Sequence, residues 1–160
     1  MTNKPTFSIV TCTWNSAATL GDTLASVASQ DCQDLEHIFV DGGSVDGTLD
    51  MIDSYRGNKQ VLRGVKGGIS RAMNEGIAHA HGEYVAHLHS DDYYFTPCVL
   101  AAVAARFAQG DADWLFGNIQ VLKDGVLLPP RPLPRFSYRS LAAGKAFVPH
   151  PAVFIRREAF

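Results

Sequence analysis

The chain has 160 residues, 46% of them hydrophobic and 19% charged, and its 14 basic and 16 acidic side chains leave a net charge of −2. That length suits one domain whose core needs no disulfide or metal staple, and a mean hydropathy of −0.02 excludes general disorder. No basic stripe of the kind that marks a nucleic-acid binder is present, so no nucleic-acid partner is expected. The densest positive cluster comes late, at Arg131, Arg135, Arg139, Lys145, Arg156 and Arg157. Cys12, Cys32 and Cys98 are odd in number and far apart, which argues against a disulfide framework or a zinc ribbon and for a reducing compartment. No apolar run of ~18 residues and no basic-then-apolar start occurs, so a soluble cytoplasmic chain without a signal peptide is expected.

In chain order, Phe7 to Thr13 is a β-rich run closed by Asn15-Ser16, which is cap chemistry. Leu20, Leu24 and Val27 then recur at helical spacing up to about Gln30. His37 to Val40 reads as a second strand ending at Asp41-Gly42-Gly43-Ser44, and Asp46-Gly47-Thr48 opens a helix that Gly57-Asn58 stops. Gln60 to Leu62 is a brief third strand, followed by a Gly-rich loop from Gly64 to Gly68. The spacing predicts a helix from about Ser70 to Ala80 with His81-Gly82 as its C-cap. Tyr84 to Leu88 is a fourth strand running into Ser90-Asp91-Asp92. Thr96-Pro97 reads as an N-cap followed by proline at the first helical position, and Gly110 closes that helix. Trp114 to Phe116 is a fifth strand, and Asp124-Gly125 is the tight turn of a hairpin between Ile119 and Leu128. Four prolines between Pro129 and Pro134 argue for an extended loop, and Val153 to Ile155 looks like a last strand. The alternation implies an α/β fold, a mostly parallel sheet with helices on both faces. Phe154 to Phe160 reads as the interior of a domain, so a C-terminally truncated chain is expected.

Ligands of open α/β sheets bind outside the carboxyl ends of the strands, and that is where polar residues collect here. Asp91-Asp92 suits a hard cation such as Mg²⁺ or Mn²⁺. That reading is preferred to a solvated turn because Thr96 is available to cap the next helix. Asp41 is placed to accept a hydrogen bond from a base or ribose, or else to cap a helix. Trp14 either stacks on a base or packs in the core, and Gly67-Gly68 either hold phosphate at a helix N-terminus or merely turn the chain. The pairs His79/His81 and His87/His89 make a poor zinc site, but His89 adjoins the acidic loop, and His150 stands between two prolines. The Gly-x-Gly-x-x-Gly fingerprint, the Walker loop and the Gly-x-Ser-x-Gly elbow are all missing.

Taken together, these segments resemble the family 2 glycosyltransferases of the GT-A fold, which is Rossmann-like. Phe7 to Asn15 is similar to the family's first strand, and Val40 to Thr48 to its acidic, Gly/Ser-containing second strand end. Gly68 to Ile77 with Gly82-Glu83-Tyr84 resembles the helix before the acidic motif, and Leu88 to Asp92 matches that motif. The resemblance implies an inverting transfer of a sugar from a UDP- or GDP-linked donor to a saccharide or lipid-linked acceptor in polysaccharide or glycolipid assembly. It implies that Cys12, Trp14, Asp41, Gly42, Gly68, Asn74 and Asp91 bind the nucleotide sugar, and that Asp92 ligates Mn²⁺ or Mg²⁺. His150, in His150-Pro151-Ala152-Val153-Phe154, falls on the acceptor side, and peripheral contact with the inner face of the membrane follows from lipid-linked acceptors. Gly42 stands where many relatives carry a second Asp. The expected division is a nucleotide-binding part over 5–118 and a partial acceptor part over 119–160. The family's general base is a carboxylate beyond the His-containing segment. Glu158 sits in the wrong context for it, so the base is unassigned. The alternative is a truncated sugar-nucleotide-binding module without turnover.

Overall fold

The computed structural model describes residues 4–130, 136–144 and 148–160. Pro132 and Pro134 of the proline-rich loop, and Arg131, Arg135 and Lys145 of the late basic cluster, lie outside the described residues. The elements run β1 (Phe7–Thr13), α1 (Leu20–Ala28), β2 (Leu35–Asp41), α2 (Thr48–Ser54), β3 (Lys59–Leu62), α3 (Ile69–Ala78), β4 (Tyr84–His87) and α4 (Val99–Phe107). They continue with β5 (Trp114–Phe116), the hairpin β6 (Leu122–Lys123) and β7 (Val126–Leu127), α5 (Tyr138–Ala142) and β8 (Val153–Arg156).

Six strands form one sheet in the order β3-β2-β1-β4-β8-β5. β1 pairs in parallel with β2 and β4, and β2 with β3, whereas β8 is antiparallel to both β4 and β5. The inversion of β8 has a topological cause. β5 delivers the chain to the edge where β1, β2 and β4 end, and a strand re-entering the sheet from that edge must run the opposite way. The sheet is therefore mostly parallel, as its strand–helix alternation predicts, with one reversed strand whose leading residues stand beside the carboxyl ends of the others.

Alternate residues of each strand serve opposite layers. Phe7, Ile9, Tyr84 and Ala86 pack with Val27 of α1 and with Leu100 and Phe107 of α4. Val10, Cys12, Ile38, Val40 and Val85 face α3 through Ala72, Met73 and Ile77, and Phe39 meets Leu20 of α1 and Ile52 of α2. Each such fully buried Leu, Ile or Phe contributes on the order of 1.5–3 kcal/mol. α3 lies unusually close to the sheet: a Cβ at Gly76 would fall 2.2 Å from Cγ1 of Val10.

Three local expectations are corrected. α1 begins at Leu20, so Asn15 and Ser16 are not its caps; only the Ser16 carbonyl reaches its first turn, accepting from the Thr19 and Leu20 amides. α4 begins at Val99 rather than Pro97, and the Thr96 hydroxyl pairs with Cys98 Sγ instead of capping. The Leu100 amide donates instead to Gln30 Oε1 at 3.1 Å, a partner 70 residues away that no local pattern reveals. α3 ends at Ala78, and Gly82 is not its C-cap. Gly82 permits close approach, because a Cβ there would lie 2.5 Å from the Ser8 amide nitrogen. The Asp124-Gly125 turn forms as predicted, with φ of 50° and 76°, the left-handed pair that primed hairpin turns require.

Candidate functional site

The carboxyl ends of β1, β2 and β4 are laced into one rim by side-chain hydrogen bonds. Thr13 Oγ1 donates to Asp41 Oδ2 at 2.9 Å, and the Asp41 carboxylate also accepts from the Gly43 amide and from both the amide and the hydroxyl of Ser44. Those four bonds fill the acceptor sites of a carboxylate. Burial pushes the Asp41 carboxyl up, but the bonds from Ser44, Gly43 and Thr13 outweigh it and hold the group below its ordinary value. Asp41 is thus a buried anion that shapes the turn at Gly42, Gly43 and Ser44.

That turn is joined to the end of β1. The Asn15 amide donates to Ser44 Oγ at 2.8 Å, the Val45 amide to Asn15 Oδ1 at 2.9 Å, and the Ala17 amide to Asp46 Oδ2 at 3.0 Å. Asn15 reaches this geometry at φ 51°, a left-handed conformation that asparagine tolerates better than most residues. Trp14 stands on this frame 71% exposed, which excludes its packing in the core. Its Cδ1 lies 3.5 Å from where a Cβ of Gly42 would be, so the indole rises beside the bare backbone of Gly42. Cys12, by contrast, turns into the α3 layer, where burial pushes its thiol up to about 11. Gly68, at φ 87°, is the N-cap of α3, and Asn74 is exposed on the second turn of that helix. The loop before α3 is tied to the rim by the Val65 amide, which donates to the Asp41 carbonyl at 2.9 Å.

At the end of β4, Ser90 Oγ donates to Ser16 Oγ at 2.9 Å, and Thr23 of α1 donates its hydroxyl to the Asp92 carbonyl at 2.8 Å. Asp91 is exposed and Asp92 half-buried. Burial and the charge of Asp91 push the Asp92 carboxyl above its ordinary value, with His89 and His150 opposing. His89 Nε2 lies 2.6 Å from His150 Nε2, so the two rings share a single proton across that contact. Burial and His150 press His89 toward its neutral form, against the pull of Asp92 and Asp91. This contact, the Thr23 anchor and the role of Ser16 all escape sequence reasoning. The only hint is the adjacency of His89 to the acidic loop. Glu158 lies at the opposite edge, in the turn after β8, where the Arg157 amide bonds the Glu83 carbonyl before β4.

The donor set fits a divalent cation of the Mg²⁺ type. Among the described residues no three His, Cys, Asp or Glu side chains gather into a metal cage. Such ions are commonly held by one or two carboxylates together with substrate phosphates and do not need one. Two adjacent acids, one of them half-buried with a raised pKa, present the unbalanced negative charge that a cation relieves.

A groove of about 670 Å³ opens beside the two aspartates, bounded by α4, by Leu115 and Phe116 of β5, by the chain leading into β6 and by Pro151, Ala152 and Phe154. Among the described residues no helix is long and apolar enough to cross a membrane.

Comparison with known proteins places these features in context. The chain is 37% identical over 120 residues to a PGL/p-HBAD biosynthesis glycosyltransferase of Mycobacterium bovis, covering 72% of this chain and 47% of that protein. An uncharacterized glycosyltransferase of Mycobacterium tuberculosis is 38% identical over 159 residues, covering 96% of this chain and 60% of the relative. The chain thus spans about half the length of these curated relatives. The crystal structure of S. aureus TarS 1-349 in complex with UDP-GlcNAc superposes with a TM-score of 0.76 and 25% identity, over 94% of this chain and 45% of that one. The mannosyltransferase PcManGT from Pyrobaculum calidifontis, solved with GDP-Man and Mn²⁺, shares the fold with a TM-score of 0.73 at 21% identity, over 98% of this chain and 46% of that one. The family model described as Glycosyl transferase family 2 matches residues 8–160, and the chain belongs to that family.

Proposed function

We propose that this chain carries the donor-binding part of a metal-assisted, inverting glycosyltransferase, which moves a sugar from a nucleoside diphosphate to a saccharide or lipid-linked acceptor. The observation that carries this reading is the single rim on which an exposed indole, a bare glycine turn and two adjacent carboxylates stand at the ends of parallel strands. TarS, similar in fold and 25% identical, has been solved with UDP-GlcNAc, which supports a nucleotide-sugar ligand.

In this reading Trp14 offers its face to the base, and Gly42 lets the nucleoside approach the backbone. Asp41 contributes indirectly, because its saturated carboxylate holds the turn that Gly42 belongs to. Gly68 and Asn74 border the nucleotide from α3, and Cys12 contributes its backbone. Asp91 faces the ribose or sugar, and Asp92 holds Mn²⁺ or Mg²⁺. The cation, when bound, supplies positive charge against the departing diphosphate. His150 stands on the acceptor side, joined to the acidic loop through His89.

Calorimetric titration of UDP and of GDP, with and without Mn²⁺, tests the reading. Metal-dependent binding of one nucleotide is expected. Failure of both to bind in the presence of Mn²⁺ overturns it, and binding without sugar transfer to any acceptor favours the binding-module alternative.

A further inference from the structure

A pair of serines to which the donor reading gives no task joins the two ends of the rim. Ser16 and Ser90 are 74 residues apart in sequence, both half-buried, and their hydroxyl oxygens lie 2.9 Å from each other. Ser16 follows the end of β1, two residues after Trp14, and Ser90 directly precedes Asp91. Ser16 is held through its amide, its carbonyl and its hydroxyl. The amide donates to Thr48 Oγ1 at 2.7 Å, and the fully buried Thr48 is held in turn by its bond to Asp46 Oδ1 at 2.6 Å. The carbonyl accepts from the Thr19 and Leu20 amides at 3.1 and 2.9 Å. The hydroxyl oxygen accepts from the Trp14 amide at 3.2 Å as well as from Ser90.

A hydroxyl has two acceptor sites and one proton to give. Ser16 Oγ fills both acceptor sites, with the Trp14 amide and the Ser90 hydroxyl, and its own proton has no acceptor among the described residues. Reversing the bond between the two hydroxyls only moves the surplus proton to Ser90. The pair therefore always holds one unused donor where the ends of β1 and β4 meet. We infer that the Ser16–Ser90 pair is a phosphate-binding element, which gives this proton to a non-bridging oxygen of the donor's diphosphate. The inference rests on the donor reading, which lays the nucleoside on Trp14 and Gly42 and the cation on Asp92. The phosphates of one bound molecule then cross from the first to the second, past the serine pair. The chemistry of the crossing selects a phosphate oxygen. Asp46 and Asp91 beside it offer only carboxylate acceptors, whereas the serine pair offers a donor, and a hydrogen bond to an ionised oxygen is the stronger kind. Because Ser16 is already anchored by Thr48 and by the first turn of α1, little ordering is left to be lost on binding.

UDP and uridine, titrated calorimetrically with Mn²⁺ present, provide the test. Uridine carries the base and the ribose but no phosphate, so only UDP can use the serine proton. The parent chain is compared with the double variant Ser16→Ala, Ser90→Ala, which removes both hydroxyls and leaves no substitute donor. The variant is expected to bind UDP about tenfold or more weakly, the size of a lost hydrogen bond to a charged group. Uridine binding and the thermal transition should stay as in the parent, and retained uridine binding also shows that the rim is intact. Equal UDP affinity in parent and variant overturns the inference. So does an equal loss for uridine, which would make the pair a support of the Trp14 turn and nothing more. Absence of UDP binding in the parent itself overturns the donor reading, and this inference with it. That outcome is distinguishable from a parent that binds UDP and a variant that binds it equally well.

Discussion

His89 and His150, 61 residues apart, meet through their Nε2 atoms at 2.6 Å and connect the acidic loop after β4 to the segment that enters β8. The contact exists because β8 enters the sheet from the site edge, directly beside β4. The acidic loop is also held from α1, through the Thr23 hydroxyl on the Asp92 carbonyl, and internally, through the Asp92 amide on the His89 carbonyl at 3.1 Å. Removing the ring of His150 should loosen this loop. In His150→Ala the Asp92 amide is expected to exchange about fivefold to tenfold faster, the loss of roughly one hydrogen bond. Unchanged exchange would show that Thr23 alone holds the loop.

Asp92→Asn should remove the effect of Mn²⁺ on nucleotide binding without unfolding the chain. The neutral amide also relieves the repulsion from Asp91 that pushes the Asp92 carboxyl up. Stability is therefore expected to stay within about 1 kcal/mol of the parent or to rise slightly. Retained metal dependence in calorimetry would move the cation site elsewhere.

Trp14→Ala separates binding from folding cleanly, because the indole is largely exposed. Nucleotide affinity should fall by roughly 1–3 kcal/mol, as for other aromatic–base stacks. The urea midpoint should move little, as expected for an exposed side chain. Unaltered UDP affinity would remove Trp14 from the site.

Gly76→Ala places a methyl group against Val10. The overlap should destabilise the fold by about 1–3 kcal/mol, offset in part by the better helix propensity of alanine. Val10→Ala in the same chain should recover part of the loss, giving a coupling of about 1 kcal/mol in a double-mutant cycle. Additive effects would mean that α3 shifts bodily away from the sheet.

His37 is one source of acid sensitivity. It is fully buried, with its ring 4.0 Å from that of Phe39 and its Nε2 2.8 Å from Thr11 Oγ1. The Thr11 hydroxyl already donates to the Leu88 carbonyl at 2.7 Å, so His37 must carry its proton on Nε2 and leave Nδ1 bare. Nδ1 has no partner among the described residues, and burial lowers the imidazole pKa from 6.5 to about 3. The unfolded chain therefore takes up a proton below pH 6.5 that the folded chain refuses until about pH 3. The stabilisation is complete above 6.5 and is lost as the pH falls, by about 1.4 kcal/mol per pH unit for this one group. Urea midpoints at pH 7 and pH 5 should differ accordingly, and His37→Gln should reduce the difference by about half, because His87, whose pKa burial also lowers, to about 4, contributes with the same sign. An equally steep dependence in that variant would place the sensitivity elsewhere.

How much of this was legible beforehand depended on how local the cause is. Runs such as Phe7 to Thr13 are rich in β-formers and buried throughout because both faces of a parallel strand are covered, and the Asp124-Gly125 turn follows from two residues that accept positive φ. The acidic pair at the end of β4 was readable for the same reason, since a strand followed by Ser90-Asp91-Asp92 needs no knowledge of its neighbours. Local rules failed wherever a distant group took over the task. Thr96 was the natural cap of α4 until Gln30 supplied the acceptor. Gly82 was the natural C-cap of α3 until Ser8 claimed the space beside it.

Residue order alone therefore settled the alternating α/β pattern, the parallel core and the edge where polar residues gather, because hydrophobic period and turn chemistry act over a few residues. Packing decided the rest. The direction of β8, the meeting of His89 with His150, the inward turn of the Asp41 carboxylate, the outward stance of Trp14 and the groove along α4 each depend on residues tens of positions apart. Such contacts form only when the chain closes on itself, and the free energy that selects them belongs to the assembled layers rather than to any one segment.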